Sequence, residues 1–241
     1  MTDPTAVGAS GNRWLASLPS RDLALLTPHL SSVSFGRGET LFDTGEDVAQ
    51  VFFPTEGVVS MLTVLGNGQT VETAAIGREG LVGATCGPLN GAAVSRAVTQ
   101  TPGAAERIGA DRFSQALEES EGLRAAVARH TEALLAQVQQ TAACNALHRL
   151  DARLARWLLM LHDRSEGDSF ALTHEGLSDM LGVRRATVSE VGAALEEKGL
   201  IRRSRGRIEV LDRPGLERAA CECYRTIADT MAALLPAPAK G

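Results

Sequence analysis

Gly182 stands between two short runs of helical periodicity, and that arrangement leaves few folds open. Before it, Leu177, Met180 and Leu181 recur at helical spacing after Thr173, whose hydroxyl suits it to cap the helix start. After it, Val188, Val191 and Leu195 mark the buried side of a second helix that opens on Arg184 and Arg185. Glycine tolerates left-handed backbone, so it can end one helix and turn the chain steeply into the next. The pair reads as a helix-turn-helix. Arg185, Ala186, Ser189 and Glu190 then share the side opposite the buried one, near the N-terminus, where the major groove of double-stranded DNA meets such a helix. An arginine fork matches guanine, a carboxylate accepts from cytosine, serine suits either role, and alanine touches only a thymine methyl. These four are the candidate base readers.

The next stretch extends the motif. Gly199 stops the second helix, and two short β-prone runs between Leu200 and Val210 flank an Arg203-Ser204-Arg205-Gly206 turn. This reads as the basic-tipped hairpin of a winged helix. From Arg184 to Arg207 six Arg and one Lys face three Glu, a local charge of +4 in a chain of formal charge −5. Positive charge confined to one motif of an acidic protein is the footprint of a local phosphate contact. Thr173, Arg184, Thr187, Arg203, Arg205 and Arg207 are therefore the candidate phosphate and wing contacts, which position rather than read sequence.

The N-terminal half has a different texture. Between Val33 and Ile108, short apolar runs such as Val58 to Val64 alternate with glycine-bearing turns, among them Asp43-Thr44-Gly45-Glu46 and Asn67-Gly68. Many short strands at this spacing predict an antiparallel sandwich or barrel. Arg13 to Leu26 reads as a helix capping it. From Asp111 helical periodicity takes over, with Leu123, Val127, His130 and Leu134 as a stripe that continues through Thr141 and Cys144. Such a helix suits a dimer seam, since a reader with one helix-turn-helix gains from a second half-site. The expected class is α+β: residues 1–110 an N-terminal antiparallel β-barrel or jelly roll with its helix, 111–147 a long dimerisation helix, and 148–241 a C-terminal winged helix with a final helix.

No apolar run approaches the ~18 residues of a membrane span, and Met1 to Gly11 lacks a basic-then-apolar leader, so a cytoplasmic protein without membrane partners is expected. The four cysteines, 86, 144, 221 and 223, have no disulfide spacing. Cys221-Glu222-Cys223 offers two metal ligands where two more are needed, so these cysteines are expected to be structural and no metal is assigned. Neither Cys86 nor Ser95 comes with a base and an orienting group, which argues against an enzyme.

Barrel, long helix and winged helix in this order resemble the Crp/Fnr family of transcription regulators. The resemblance is carried by Gly38-Glu39-Thr40-Leu41-Phe42-Asp43-Thr44-Gly45-Glu46, Gly57, Ile76-Gly77-Arg78-Glu79-Gly80-Leu81-Val82-Gly83 and the winged helix through Gly206. It implies a barrel of the cyclic-nucleotide-binding type acting as sensor, a homodimer through Leu123, Val127, His130, Leu134, Thr141 and Cys144, a hinge at Leu147 to Arg149, and a palindromic operator. It also implies RNA polymerase as a further partner, with Asp163-Arg164-Ser165-Glu166-Gly167-Asp168 as the candidate contact.

The resemblance fails at one point of consequence. Members that bind cyclic AMP carry Gly-Glu and, about ten residues on, Arg-Ser-Ala; here Gly83-Ala84 and Val94-Ser95-Arg96 stand in those places. The ribose-binding carboxylate is missing and the arginine is displaced by one position, which in extended chain sends it to the other face. Gly83, Ala84, Ser95, Arg96, Val138 and Gln139 mark the candidate effector pocket, and gating by cyclic AMP is not expected. The alternative is a regulator gated by a cyclic nucleotide or another small ligand in a non-standard pocket. With no cysteine before Cys86, an iron–sulfur cluster of the oxygen-sensing kind is not expected either. The sequence identifies no cofactor and leaves the effector unknown.

Overall fold

The computed structural model describes residues 11–84, 92–172 and 174–235, with the backbone alone for His174 and Glu175. The described residues open with two short helices, α1 (Arg13–Ala16) and α2 (Ser20–Leu26), rather than the single one expected. Pro19 explains the break, because it disfavours helical backbone at the residue before it. Seven strands follow among the described residues: β1 (Ser31–Phe35), β2 (Thr40–Phe42), β3 (Gln50–Glu56), β4 (Val59–Val64), β5 (Thr70–Ile76), β6 (Arg96–Thr99) and β7 (Gly103–Gly109). They form two antiparallel sheets, ordered β1-β7-β3 and β2-β6-β4-β5. Gly68 takes φ +82° in the β4–β5 turn, as the Asn67-Gly68 pair predicts. Phe35, Phe42, Val48, Phe52, Val59, Met61, Ala74 and Ile76 fill the space between the sheets.

The segment expected as one helix from 111 to 147 is two, α3 (Ala110–Glu119) and α4 (Glu121–Leu147). Ser120 separates them: its backbone is extended and its hydroxyl accepts from the Leu123 N–H, capping a new helix. Helical periodicity runs through the break because both helices bury a side against the barrel. α4 ends at Leu147, with His148 as its extended C-cap, within the expected hinge.

The C-terminal part comprises α5 (Leu150–His162), β8 (Ser169–Ala171), α6 (His174–Leu181), α7 (Arg185–Glu197), β9 (Ile201–Ser204), β10 (Arg207–Val210), α8 (Arg213–Ala219) and α9 (Cys223–Leu234). β8, β10 and β9 form a three-stranded sheet; the third strand, β8, is too short to leave a periodic signal in the sequence. One apolar core runs from this part into the barrel, joining Val58, Leu62 and Ala75 to Trp157, Leu158, Leu177 and Met180. The β2-β6-β4-β5 sheet is thus covered on both faces, inside by the barrel core and outside by the C-terminal part. No described helix is long and apolar enough to cross a membrane.

Candidate nucleic-acid interface

The turn between α6 and α7 is built as its residues require. Gly182 takes φ +65°, and the Ser178 hydroxyl donates to the Val183 carbonyl across the turn. Arg153 of α5 donates to the Leu181 carbonyl at 2.8 Å, closing the end of α6. α7 buries Val188, Gly192 and Leu195, which leaves Arg185, Ala186 and Glu190 exposed and Ser189 half-buried near its N-terminus. Arg184 is exposed at the N-cap and Thr187 is half-buried beside it. The candidate base readers therefore share one accessible surface. Thr173 lies outside the described residues.

Arg205 and Arg207 are exposed at the tip and second strand of the wing, and Arg207 reaches Ser169 Oγ at 3.2 Å. Arg203, expected to touch phosphate, is instead committed inside the domain. Its guanidinium pairs with Glu196 at 3.0 Å and donates to the Ser189 carbonyl at 3.0 Å, while its backbone N–H donates to the same carboxylate. Those bonds hold the Glu196 carboxyl below its usual range. Gly192 leaves room for the guanidinium: a Cβ there would sit 2.8 Å from Arg203 Nη1. Arg203 thus fastens wing to recognition helix, a role that strand alternation along β9 does not reveal.

The candidate effector pocket is not assembled as expected. Ala97 turns into the barrel core, so its neighbour Arg96 points to the other face of β6, where it forks onto Asp43 at 2.9 and 2.7 Å. That fork lowers the Asp43 carboxyl. Gly83 and Ala84 are buried, Ser95 is half-buried, Val138 packs on the barrel core and Gln139 is exposed. Arg96 and Gln139 therefore do not join Val138 on the core between the sheets, and Ala84 packs with Trp14 and Phe53 in a separate core. Glu79 is buried in an ion pair with Arg164 at 2.7 Å and lines a cavity with Arg13, Met160 and Tyr224, apart from the core between the two sheets. Arg164 accordingly drops out of the exposed loop at 163–168, of which Asp163, Glu166, Gly167 and Asp168 remain exposed.

The six residues expected at a dimer seam lie on the side of α4 that faces its own chain. Leu123 and Val127 join Trp14, Phe53 and Phe113 in one core, and His130 Nε2 bonds the Leu81 carbonyl at 2.9 Å. Leu134 packs on the barrel core, Thr141 is buried, and Cys144 is buried against Cys221 and Cys223. A periodic apolar stripe reports a buried side, not whose surface buries it. The outward side of α4 carries Ala128, Leu135 and Ala142, with Leu135 54% exposed.

Two features leave little mark in the sequence. Glu72 of β5 accepts from Trp157 Nε1 of α5 at 2.7 Å and from the Ser60 hydroxyl, a buried bolt between barrel and C-terminal part. Cys144, His148, Cys221 and Cys223 gather at the junction of α4, α5 and α9, with all four donor atoms within 4.8 Å of one another. Cys144 lies four residues before His148 and Cys221 two before Cys223, and those two spacings are the available signal. Cys86 lies outside the described residues.

Residues 32–120 match the family model of the cyclic nucleotide-binding domain, and residues 152–219 that of the Crp-like helix-turn-helix domain. The transcriptional regulator LdrP of a Thermus thermophilus strain is 29% identical over 199 residues, which span 77% of this chain and 95% of the relative. The global nitrogen regulator of a Nostoc species is 27% identical over 179 residues, 70% of this chain and 79% of that one. The crystal structure of a CRP-family transcriptional regulator from Thermus thermophilus superposes with a TM-score of 0.67 at 26% identity, covering 78% of this chain and 96% of that chain.

Proposed function

Because the chain belongs to the Crp/Fnr family of DNA-binding transcriptional regulators, we propose that it acts as a homodimer on a palindromic operator, without gating by cyclic AMP. The observation that carries the reading is the exposed group Arg185, Ala186 and Glu190 at the start of α7, flanked by Arg184 and by the wing arginines 205 and 207. In this reading Arg185 and Glu190 read base edges, while Arg184, Thr187, Arg205 and Arg207 hold phosphates. The dimer forms through the outward side of α4, where Ala128, Leu135 and Ala142 recur every seven residues. Independence from cyclic AMP is supported by Arg96, whose charge is already answered by Asp43 outside the barrel. An anion entering the apolar interior without a countercharge would meet a large desolvation cost. Regulation in place of catalysis fits the same surface, and RNA polymerase is a further partner through the exposed positions of the 163–168 loop.

Operator binding by the full chain, measured with and without cyclic AMP over a range of salt, tests this reading. Arg185→Ala should cost about 1–3 kcal/mol on a selected operator and much less on random DNA. Arg205→Ala should weaken binding to both and reduce the salt slope by about one. Equal losses on operator and random DNA for Arg185→Ala would make that residue a phosphate contact, and a rise in affinity with cyclic AMP would refute the proposed independence.

A further inference from the structure

We propose that Cys144, His148, Cys221 and Cys223 form a closed four-ligand site for a single zinc ion, which fastens the end of α4 to the base of α9. The ligand set is the first argument. Three thiolates and one imidazole are a combination that zinc takes in closed structural sites, and soft sulfur donors disfavour magnesium and calcium. The spacing is the second. Zinc–sulfur bonds of about 2.3 Å and a zinc–nitrogen bond of about 2.0 Å give a tetrahedron with edges of about 3.5–3.8 Å. Cys144 Sγ lies 3.5 Å from Cys221 Sγ, and Cys223 Sγ lies 3.4 Å from His148 Nδ1. A cluster of several irons would hold its ligands farther apart than these donors stand. A disulfide between Cys144 and Cys221 would need the sulfurs at about 2.05 Å.

The surroundings supply what such a site needs. His148 presents Nδ1 to the sulfurs while its Nε2 meets the Glu222 carboxylate at 3.1 Å, the outer hydrogen bond that fixes the tautomer of a metal-binding histidine. Gln140 Nε2 donates to Cys223 Sγ at 3.0 Å, a contact that favours thiolate over thiol. Three thiolates around a divalent ion leave a net negative charge. Arg156, buried on α5, interacts with Cys144 as well as Glu72, and its Nε has no hydrogen-bond partner; Arg153 interacts with Cys144 and Cys221. Cys144 and Cys223 are fully buried and Cys221 nearly so, which leaves no open position for catalysis. The ligands come from the last turn of α4, its C-cap, the segment after α8 and the first residue of α9, so one ion fixes the joint between sensor and DNA-binding part.

The site is testable without reference to DNA. The full chain, purified under reducing conditions with added zinc, should carry one zinc per chain by elemental mass spectrometry. Cobalt exchanged into it should show the intense visible bands of tetrahedral cobalt thiolate. Three of the four cysteines should resist a thiol reagent until a strong chelator is added. Cys221→Ser should abolish stoichiometric binding. Glu222→Gln, at an exposed position that leaves the fold intact, should weaken zinc about 10–100-fold with unchanged circular dichroism. Substoichiometric zinc, an iron chromophore, a Cys144–Cys221 disulfide in the reduced preparation, or unchanged affinity in Glu222→Gln would each overturn the proposal.

Discussion

His130 shows how one buried ring ties sensor packing to acidity. Its Nε2–H donates to the Leu81 carbonyl, and Gly80 leaves it room, since a Cβ there would lie 2.6 Å from the ring. Burial pushes its pKa down to about 4 from the ordinary 6.5. The folded state therefore binds this proton less readily than the unfolded one, so the stability it lends is complete above pH 6.5 and drains away as pH falls toward 4. Between pH 7 and pH 5 the loss should reach about 2 kcal/mol. Denaturant unfolding of His130→Gln at both pH values checks this: the variant should lose that much less than the parent, and equal losses would mean that the ring charges freely in place.

α4 is the element on which most of the assembly turns. Its inner side is the buried stripe that periodicity predicts but not the seam, because leucine at helical spacing packs equally well on a barrel or on a second chain. The outer side makes the prediction sharper. Leu135→Glu places two carboxylates in the proposed seam and should weaken dimerisation by about tenfold or more, with folding preserved. Leu134→Glu, one residue away on the barrel side, should lower thermal stability instead. Sedimentation and thermal melting of the two variants separate these outcomes, and a Leu135→Glu chain that stays dimeric would move the interface elsewhere.

At the scale of the molecule, sensor and DNA-binding part are held as one body by a shared apolar core and two buried carboxylates, Glu72 and Glu79. Glu79 and Arg164 are 9% and 8% exposed at their side chains. Burial alone would raise the Glu79 carboxyl, but the Arg164 guanidinium beside it carries it below its ordinary range. Removing one member of such a pair leaves the other buried without its partner, which costs on the order of 3–5 kcal/mol. Arg164→Met should therefore melt at lower temperature, its single calorimetric transition splitting into two as the barrel and the winged helix part company. A variant that melted as one unit at the parent's temperature would show that the apolar core alone joins them. Any effector that reorients the recognition helix has to act against these contacts.

The helix-turn-helix, the wing and the order of the parts were determined by the sequence, because they rest on local features: helical periodicity over a dozen residues, left-handed glycine at 182, and a β-prone pair around the Arg203-Ser204-Arg205-Gly206 turn. The outward turn of Arg96 was legible too, since strand alternation follows from spacing alone. Tertiary structure decided the rest. It chose which surface covers the stripe of α4, committed Arg203 to Glu196 and Arg164 to Glu79, and brought Cys144 within 3.5 Å of a cysteine 77 residues later. Each of these depends on groups far apart along the chain, whose meeting is set by how whole elements pack and leaves no periodic mark in the residues themselves.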